Sequence, residues 1–183
     1  MVTRQRLDRV TLENVQLRFK NFAGAAGNFN AEGDRNFCVL LDPDIATAMI
    51  EAGWNVKQLK PREDGDAPQD YIKVKVSYRD GQQPPRINMI KSNGQVALDK
   101  ETVKILDWAQ FSNADLIISP YHWTSQDGSR SGVSAYLSSL YVTLIEDELE
   151  LKYANVPDSA VNSLPVGPRF QGPSDEEGDY ANE

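Results

Sequence analysis

Apolar and polar residues alternate most clearly from Tyr71 to Tyr78. Ile72, Val74 and Val76 fall on one side of an extended chain, and Tyr71, Lys73, Lys75 and Ser77 on the other. A period of two predicts a strand with one buried face and one wet face. Val15, Leu17 and Phe19 alternate with Gln16, Arg18 and Lys20 in the same way, which predicts a first strand over Leu12 to Lys20. Phe37 to Leu41 is an apolar run of the length a buried strand needs, and predicts a strand near Arg35 to Leu41. Arg86 to Lys91 and Val96 to Leu98 flank Asn93-Gly94, a strong hairpin signal. Asp115 to Trp123 and Val133 to Ile145 flank the polar stretch Thr124 to Gly132. They predict a long hairpin with Arg130 at its tip and Trp123 and Tyr136 near its base.

Helical signals are few. Asp42-Pro43 reads as an N-cap followed by proline at the first helical position, and Gly53 as the stop. Ile45, Ala48, Met49 and Ala52 would face inward. Asp99 opens a second short helix reaching Asp107 to Gln110, with Val103, Leu106 and Ala109 inward, and Glu146 to Tyr153 reads as a further short helix or a fraying end. Trp54 to Leu59 reads as extended, and Arg62 to Asp70 as an exposed loop. Seven or more strands without regular βαβ alternation argue against a doubly wound fold. The expected class is mainly β: an OB-fold-like five-stranded barrel elaborated with extra strands and two short helices. The expected organisation is one such domain over residues 1–155 and a disordered acidic tail over residues 156–183, where prolines at 157, 165, 168 and 173 precede the acidic run Asp175 to Asp179.

The glycine- and asparagine-rich stretch between Phe19 and Leu41 interrupts this pattern. It carries Phe22 and Phe29 in an otherwise polar loop, with Lys20 and Arg35 at its ends. The two rings either offer flat faces to a ligand or pin the loop to the barrel, and composition does not choose between these.

Charge changes the picture only when it is located. The 183-residue chain has a net charge of −8, yet Val142 to Glu183 holds ten acids against two bases and so carries all of it. The first 141 residues balance at 17 of each sign, leaving room for a basic groove beside an acidic tail. The 40% hydrophobic and 25% charged fractions are those of a soluble globular protein. No apolar run approaches the roughly 20 residues that cross a bilayer. Arg4, Arg6 and Arg9 precede no apolar segment, so the start does not read as a secretory signal. The single cysteine, Cys38, sits mid-strand and reads as a small buried hydrophobe in a reducing compartment.

Catalytic patterns are weak. His122 stands alone between Tyr121 and Trp123, the acids cluster in the tail, and the glycines at 24, 27 and 33 match no phosphate-loop spacing. No enzymatic activity, cofactor or metal is expected. Cations interleaved with aromatic rings suit a single nucleic-acid strand, whose exposed bases stack on flat side chains. The candidate phosphate contacts are Arg18, Lys20, Arg35, Lys73, Lys75, Arg86, Lys91 and Arg130; the candidate stacking residues are Phe22, Phe29, Tyr71 and Trp123.

Several segments carry a family resemblance. They are Phe19-Lys20-Asn21-Phe22-Ala23-Gly24, Asn30-Ala31-Glu32-Gly33-Asp34-Arg35-Asn36-Phe37, Gly53-Trp54-Asn55-Val56, Asp115 to Trp123 and Gly132 to Leu137. In this order, over approximately Glu13 to Tyr153, the chain resembles phage and prophage single-stranded DNA-binding proteins of the OB type. The resemblance implies a sequence-independent protein that coats single strands during phage DNA replication and recombination in the cytoplasm of the bacterial host. It also implies a tail that contacts replication proteins and competes for the groove. The end Tyr180-Ala181-Asn182-Glu183 lacks the terminal phenylalanine such tails often carry. A homo-oligomer is compatible with this reading, and a membrane role is not expected. The competing reading is a phage structural or adaptor protein whose barrel binds other proteins.

Overall fold

The computed structural model describes residues 7–153. The expected tail, its boundary, and Arg4 and Arg6 lie outside them. The segment predicted as one first strand is two: β1 (Val10–Leu12) and β2 (Leu17–Asn21). The break falls at Asn14, whose φ of 52° is a left-handed conformation that asparagine tolerates. Its amide donates to Asp115 Oδ1 at 2.7 Å, and the next amide, Val15 N, donates to the Ala114 carbonyl at 3.0 Å.

Four longer strands complete the wall: β3 (Arg35–Leu41), β5 (Gln69–Val76), β8 (Phe111–Thr124) and β9 (Ser131–Leu144). Hydrogen-bonded neighbours run β1-β8-β9-β5-β3-β2. The two ends of this path, β1 and β2, are joined by only four residues of chain. Gln16 in that link accepts from Leu40 N at 3.0 Å, so the interrupted first strand bridges β8 and β3 and the sheet curls toward closure. β3 and β5 are antiparallel from Arg35↔Val76 to Leu41↔Asp70, whereas β5 and β9 are parallel at Val74↔Ala135 and Lys75↔Tyr136. This is the expected OB-like barrel.

The insertions account for the remaining elements. α1 (Pro43–Ala52) and β4 (Val56–Leu59) lie between β3 and β5; β6 (Arg86–Lys91), β7 (Gly94–Leu98) and a 3-10 helix (Val103–Asp107) lie between β5 and β8; α2 (Glu148–Tyr153) follows β9. Asp42 precedes α1 in an extended conformation, but its carboxylate makes no capping bond; proline at the first position and Gly53 at φ 103° set the helix limits. α1 buries Ala46 and Met49, while Ala48 and Ala52 are exposed.

The core follows the period of two. Phe37, Val39 and Leu41 of β3 meet Ile72, Val74 and Val76 of β5, with Ala114, Leu116 and Ile118 of β8 and Leu137 and Leu140 of β9 in the same cluster. Phe22 belongs to it too. Its ring stacks on Phe37 with centroids 5.0 Å apart and planes at 22°, a pairing that contributes about 0.5–1.5 kcal/mol beyond area burial.

Candidate nucleic-acid interface

The side chains that β3 and β5 do not bury share the outer wall of the barrel. Register sets Cys38 beside Lys73, Asn36 beside Lys75 and Leu40 beside Tyr71. On one flank Arg18 of β2 pairs with Cys38; on the other Tyr136 of β9 pairs with Lys75, and Lys57 of β4 pairs with Tyr71. Lys73 and Lys75 are exposed and Tyr71 half-buried. The Lys75 ammonium stands 6.0 Å from the centre of the Tyr136 ring, a cation–π arrangement. Cys38 is enclosed beneath this layer: burial pushes its thiol pKa up, against the opposing influence of Lys73 and Lys57.

β8 and β9 carry the face outward as an arm. β5 pairs with β9 only at residues 135 and 136, yet the β8–β9 ladder continues to Thr124↔Ser131. Tyr121 and Trp123, two residues apart on β8, share one side of the arm. Both are exposed, and Tyr121 meets Tyr136 edge to face at 5.6 Å. Trp123 lies against its partner Gly132, where an added Cβ would stand 2.9 Å from the indole. Only glycine permits so flat a seat for the ring. The arm's tip is organised by Asp127, which accepts from the hydroxyls of Ser125 and Ser129 and from the Ser129 amide. Those bonds hold its carboxyl down at about 2. Arg130 closes the tip through backbone bonds with Ser125, its side chain exposed.

The loop of residues 22–34 rises beside this wall on a scaffold of its asparagines. Asn21 bridges both backbone groups of Ala25, Asn30 Nδ2 donates to the Asp34 carbonyl, and Asn36 Nδ2 donates to Asn30 Oδ1. Asp107 anchors the loop's start by accepting from the amides of Phe22 and Ala23 at 2.7 and 3.0 Å. At the far end Gly27 and Asn30 exchange two backbone bonds, which leaves Phe29 at the corner, 97% exposed. The two phenylalanines thus divide. Phe22 is fully buried and has no face for a base, so it is removed from the stacking set; its ring secures the loop. Phe29 is free at the tip.

Three cations differ from their expected roles. A bulge between Arg18 and Asn21 breaks the alternation of β2. Phe19, at φ 51°, becomes 67% exposed, while Lys20 turns to donate to the Ala109 carbonyl at 2.8 Å with its ammonium 4.4 Å over the Phe111 ring. The hydrogen bond and the ring contact hold this amine on the chain rather than presenting it to a ligand, and burial lowers its pKa, partly offset by Asp107. Arg35 donates to the carbonyls of Phe22 and Lys100 at 2.8 and 2.9 Å and lies over the Tyr78 ring, tying the loop to the β7 side of the barrel. Lys91 ends β6 one residue beyond Ile90, which pairs with Thr143. That is about eight residues along β9 from Tyr136, roughly 27 Å at ~3.4 Å per residue. Lys91 therefore belongs to the opposite end of the barrel. Arg86 pairs with Ser139, nearer to Tyr136, and borders the face.

Sequence reasoning missed Lys57, Phe19, Tyr121 and Tyr136 as members of this region. The alternation Ser119, Tyr121, Trp123 carried the signal for Tyr121; nothing in the sequence marks the bulge that turns Phe19 outward. Among the described residues no group of three or more His, Cys, Asp or Glu side chains is arranged to hold a metal, and no helix is long and apolar enough to cross a membrane.

A small elaborated barrel with cations and flat rings on the outer face of its second and third wall strands, β3 and β5, is the architecture of an oligonucleotide-binding domain. The family assignment is specific. A family model described as "Putative phage ssDNA-binding domain" matches residues 1–179, and the chain belongs to that family. Two solved structures share the fold. The single-stranded DNA-binding protein from bacteriophage Enc34 in complex with ssDNA is 11% identical, with a TM-score of 0.52 over 76% of this chain and 88% of that one. A C-terminal truncation of the Enc34 protein is 13% identical, with a TM-score of 0.50 over 76% and 87%. No curated protein matches the sequence.

Proposed function

We propose that this phage single-stranded DNA-binding protein coats DNA without regard to sequence, by laying the strand across the outer face of β2, β3, β5 and β9 and along the arm. What supports the reading most directly is the register that sets Lys75 beside Tyr136, with Lys73 two residues away on the same side of β5, on an exposed surface continuous with Tyr121 and Trp123. Lys57, Lys73, Lys75, Arg18 and Arg130 act on phosphates. Tyr71, Tyr121, Trp123, Tyr136 and, from the neighbouring loop, Phe29 receive bases. Each stacked base adds about 1–3 kcal/mol whatever its identity, because every base has a flat face. Duplex DNA hides those faces, so the same surface favours single strands.

The protein acts non-enzymatically in phage replication and recombination in the host cytoplasm. Its acidic end, residues 173–183, competes for the cationic face when DNA is absent and contacts replication proteins. Titration with oligothymidine, read by quenching of tryptophan fluorescence, tests the central reading. Binding is expected to weaken linearly in log K against log salt, and Trp123→Ala to lose most of the quenching and about 1–3 kcal/mol of affinity. Undiminished affinity and quenching in that variant would remove the arm from the interface.

A further inference from the structure

β5 ends at Val76, but the chain continues through Ser77, Tyr78 and Arg79 along a cleft of about 440 Å³ that also takes in Lys75, Lys100 and Tyr136. That volume lies within the ~300–1,000 Å³ typical of small-ligand sites, and the cleft is a half-open recess continuous with the outer wall through Lys73, Lys75 and Tyr136. Its lining carries five cationic side chains against one acid, Asp34. The Arg35 guanidinium is already bonded to two carbonyls, which leaves Lys73, Lys75, Arg79 and Lys100 to set the charge. A cleft of this balance selects anions.

Two hydroxyls of the lining residues, Ser77 Oγ and Tyr78 Oη, are enclosed and have no hydrogen-bond partner among the described residues. Unpaired enclosed hydroxyls are uncommon in folded proteins. Burial raises the pKa of Tyr78, opposed by Arg35 and reinforced by Asp99 and Glu101. Tyr136 adds a flat ring at the same cleft, and it belongs to the outer wall as well.

We propose that this cleft is an anchoring subsite for one nucleotide of the bound strand, its phosphate held by Lys75, Arg79 and Lys100 and its base set against Tyr136. The inference rests on the reading of the outer face given above. It adds that the strand leaves the wall at Lys75 and Tyr136 and turns into the half-open cleft beside Arg79 and Lys100. One nucleotide is then held more firmly than those stacked in the open.

Amide NMR of the full chain titrated with thymidine 5′-monophosphate tests the proposal, with inorganic phosphate as a second probe. The monophosphate should give saturable shifts at Ser77, Tyr78, Arg79, Lys100 and Tyr136; inorganic phosphate should reproduce all but that at Tyr136. In Arg79→Ala/Lys100→Ala, with thermal melting unchanged, those shifts should vanish and the salt slope of oligothymidine binding should fall by about 1.4. Absence of monophosphate shifts at residues 77–79 and 100 overturns the subsite, as does a variant that keeps the wild-type shifts and slope. Identical patterns from the two probes overturn the base contact. If oligothymidine fails to bind the wild-type chain at all, the reading of the outer face falls as well; if it binds with an unaltered slope in the variant, only the subsite does.

Discussion

Phe22 and Phe29 are seven residues apart in one polar loop and do opposite work. Phe22 packs on Phe37 at the base of the loop, whereas Phe29 stands free at its tip. Phe22→Ala is expected to cost about 3–5 kcal/mol in chemical denaturation, the range for emptying a phenylalanine-sized site in a core. The salt slope of DNA binding should be unchanged where the variant is still folded. Phe29→Ala should leave stability within about 0.5 kcal/mol and weaken oligothymidine binding instead. Equal effects of the two substitutions on stability would contradict the division. Composition left the two rings equivalent because what separates them is which one reaches Phe37, a contact across 15 positions of sequence. Lys20 shows the same limit: alternation exposed it, and one bulged residue folded it onto Phe111.

At the scale of elements, alternation was sufficient wherever a strand is regular. β5 presents the residues its pattern predicted on each face, and β6 has the predicted limits. It failed where the backbone departs from regularity, at Asn14 and at the Phe19–Lys20 bulge, because neither position carries the glycine that ordinarily announces such a turn. The arm of β8 and β9 was legible as a hairpin, but not that it outruns the barrel, since that depends on how few residues of β5 pair with β9. Its tip depends on an ionised Asp127. With the carboxyl held at about 2, below its ordinary 3.8, the bonds to Ser125 and Ser129 are fully present above the ordinary value and are lost as pH falls through about 2. Protection of the Ser129 and Arg130 amides, taken relative to the intrinsic exchange rate at each pH, should therefore hold at pH 5 and fall as pH approaches 2. Asp127→Ala should show the faster exchange already at pH 7; protection that is the same in both proteins would remove Asp127 as the organiser of the tip.

For the whole molecule, the distribution of charge matters more than its sum. A body with balanced charge gathers exposed cations on one wall, and the segment from Val142 onward holds the entire net −8. Removing residues 173–183 should tighten oligothymidine binding at low salt and have little effect at high salt, where screening already separates tail from wall. An affinity unchanged by truncation at low salt would reject competition between them. The barrel itself was readable from the count and order of strands. The meeting of Lys73, Lys75, Tyr136 and Tyr121 on one surface was not, because it depends on the parallel pairing of β5 with β9, whose paired residues lie 61 positions apart.

The most direct measurement is the salt dependence of oligothymidine affinity in Lys73→Ala/Lys75→Ala compared with Lys91→Ala, the cation at the far end of the barrel. Removing two phosphate-binding ammonium groups from the wall should lower the log–log slope by about 1.4, and the distant lysine should leave it unchanged. A slope unaltered by the double substitution, or one lowered as much by Lys91→Ala, would contradict a strand lying across the outer face of β3 and β5.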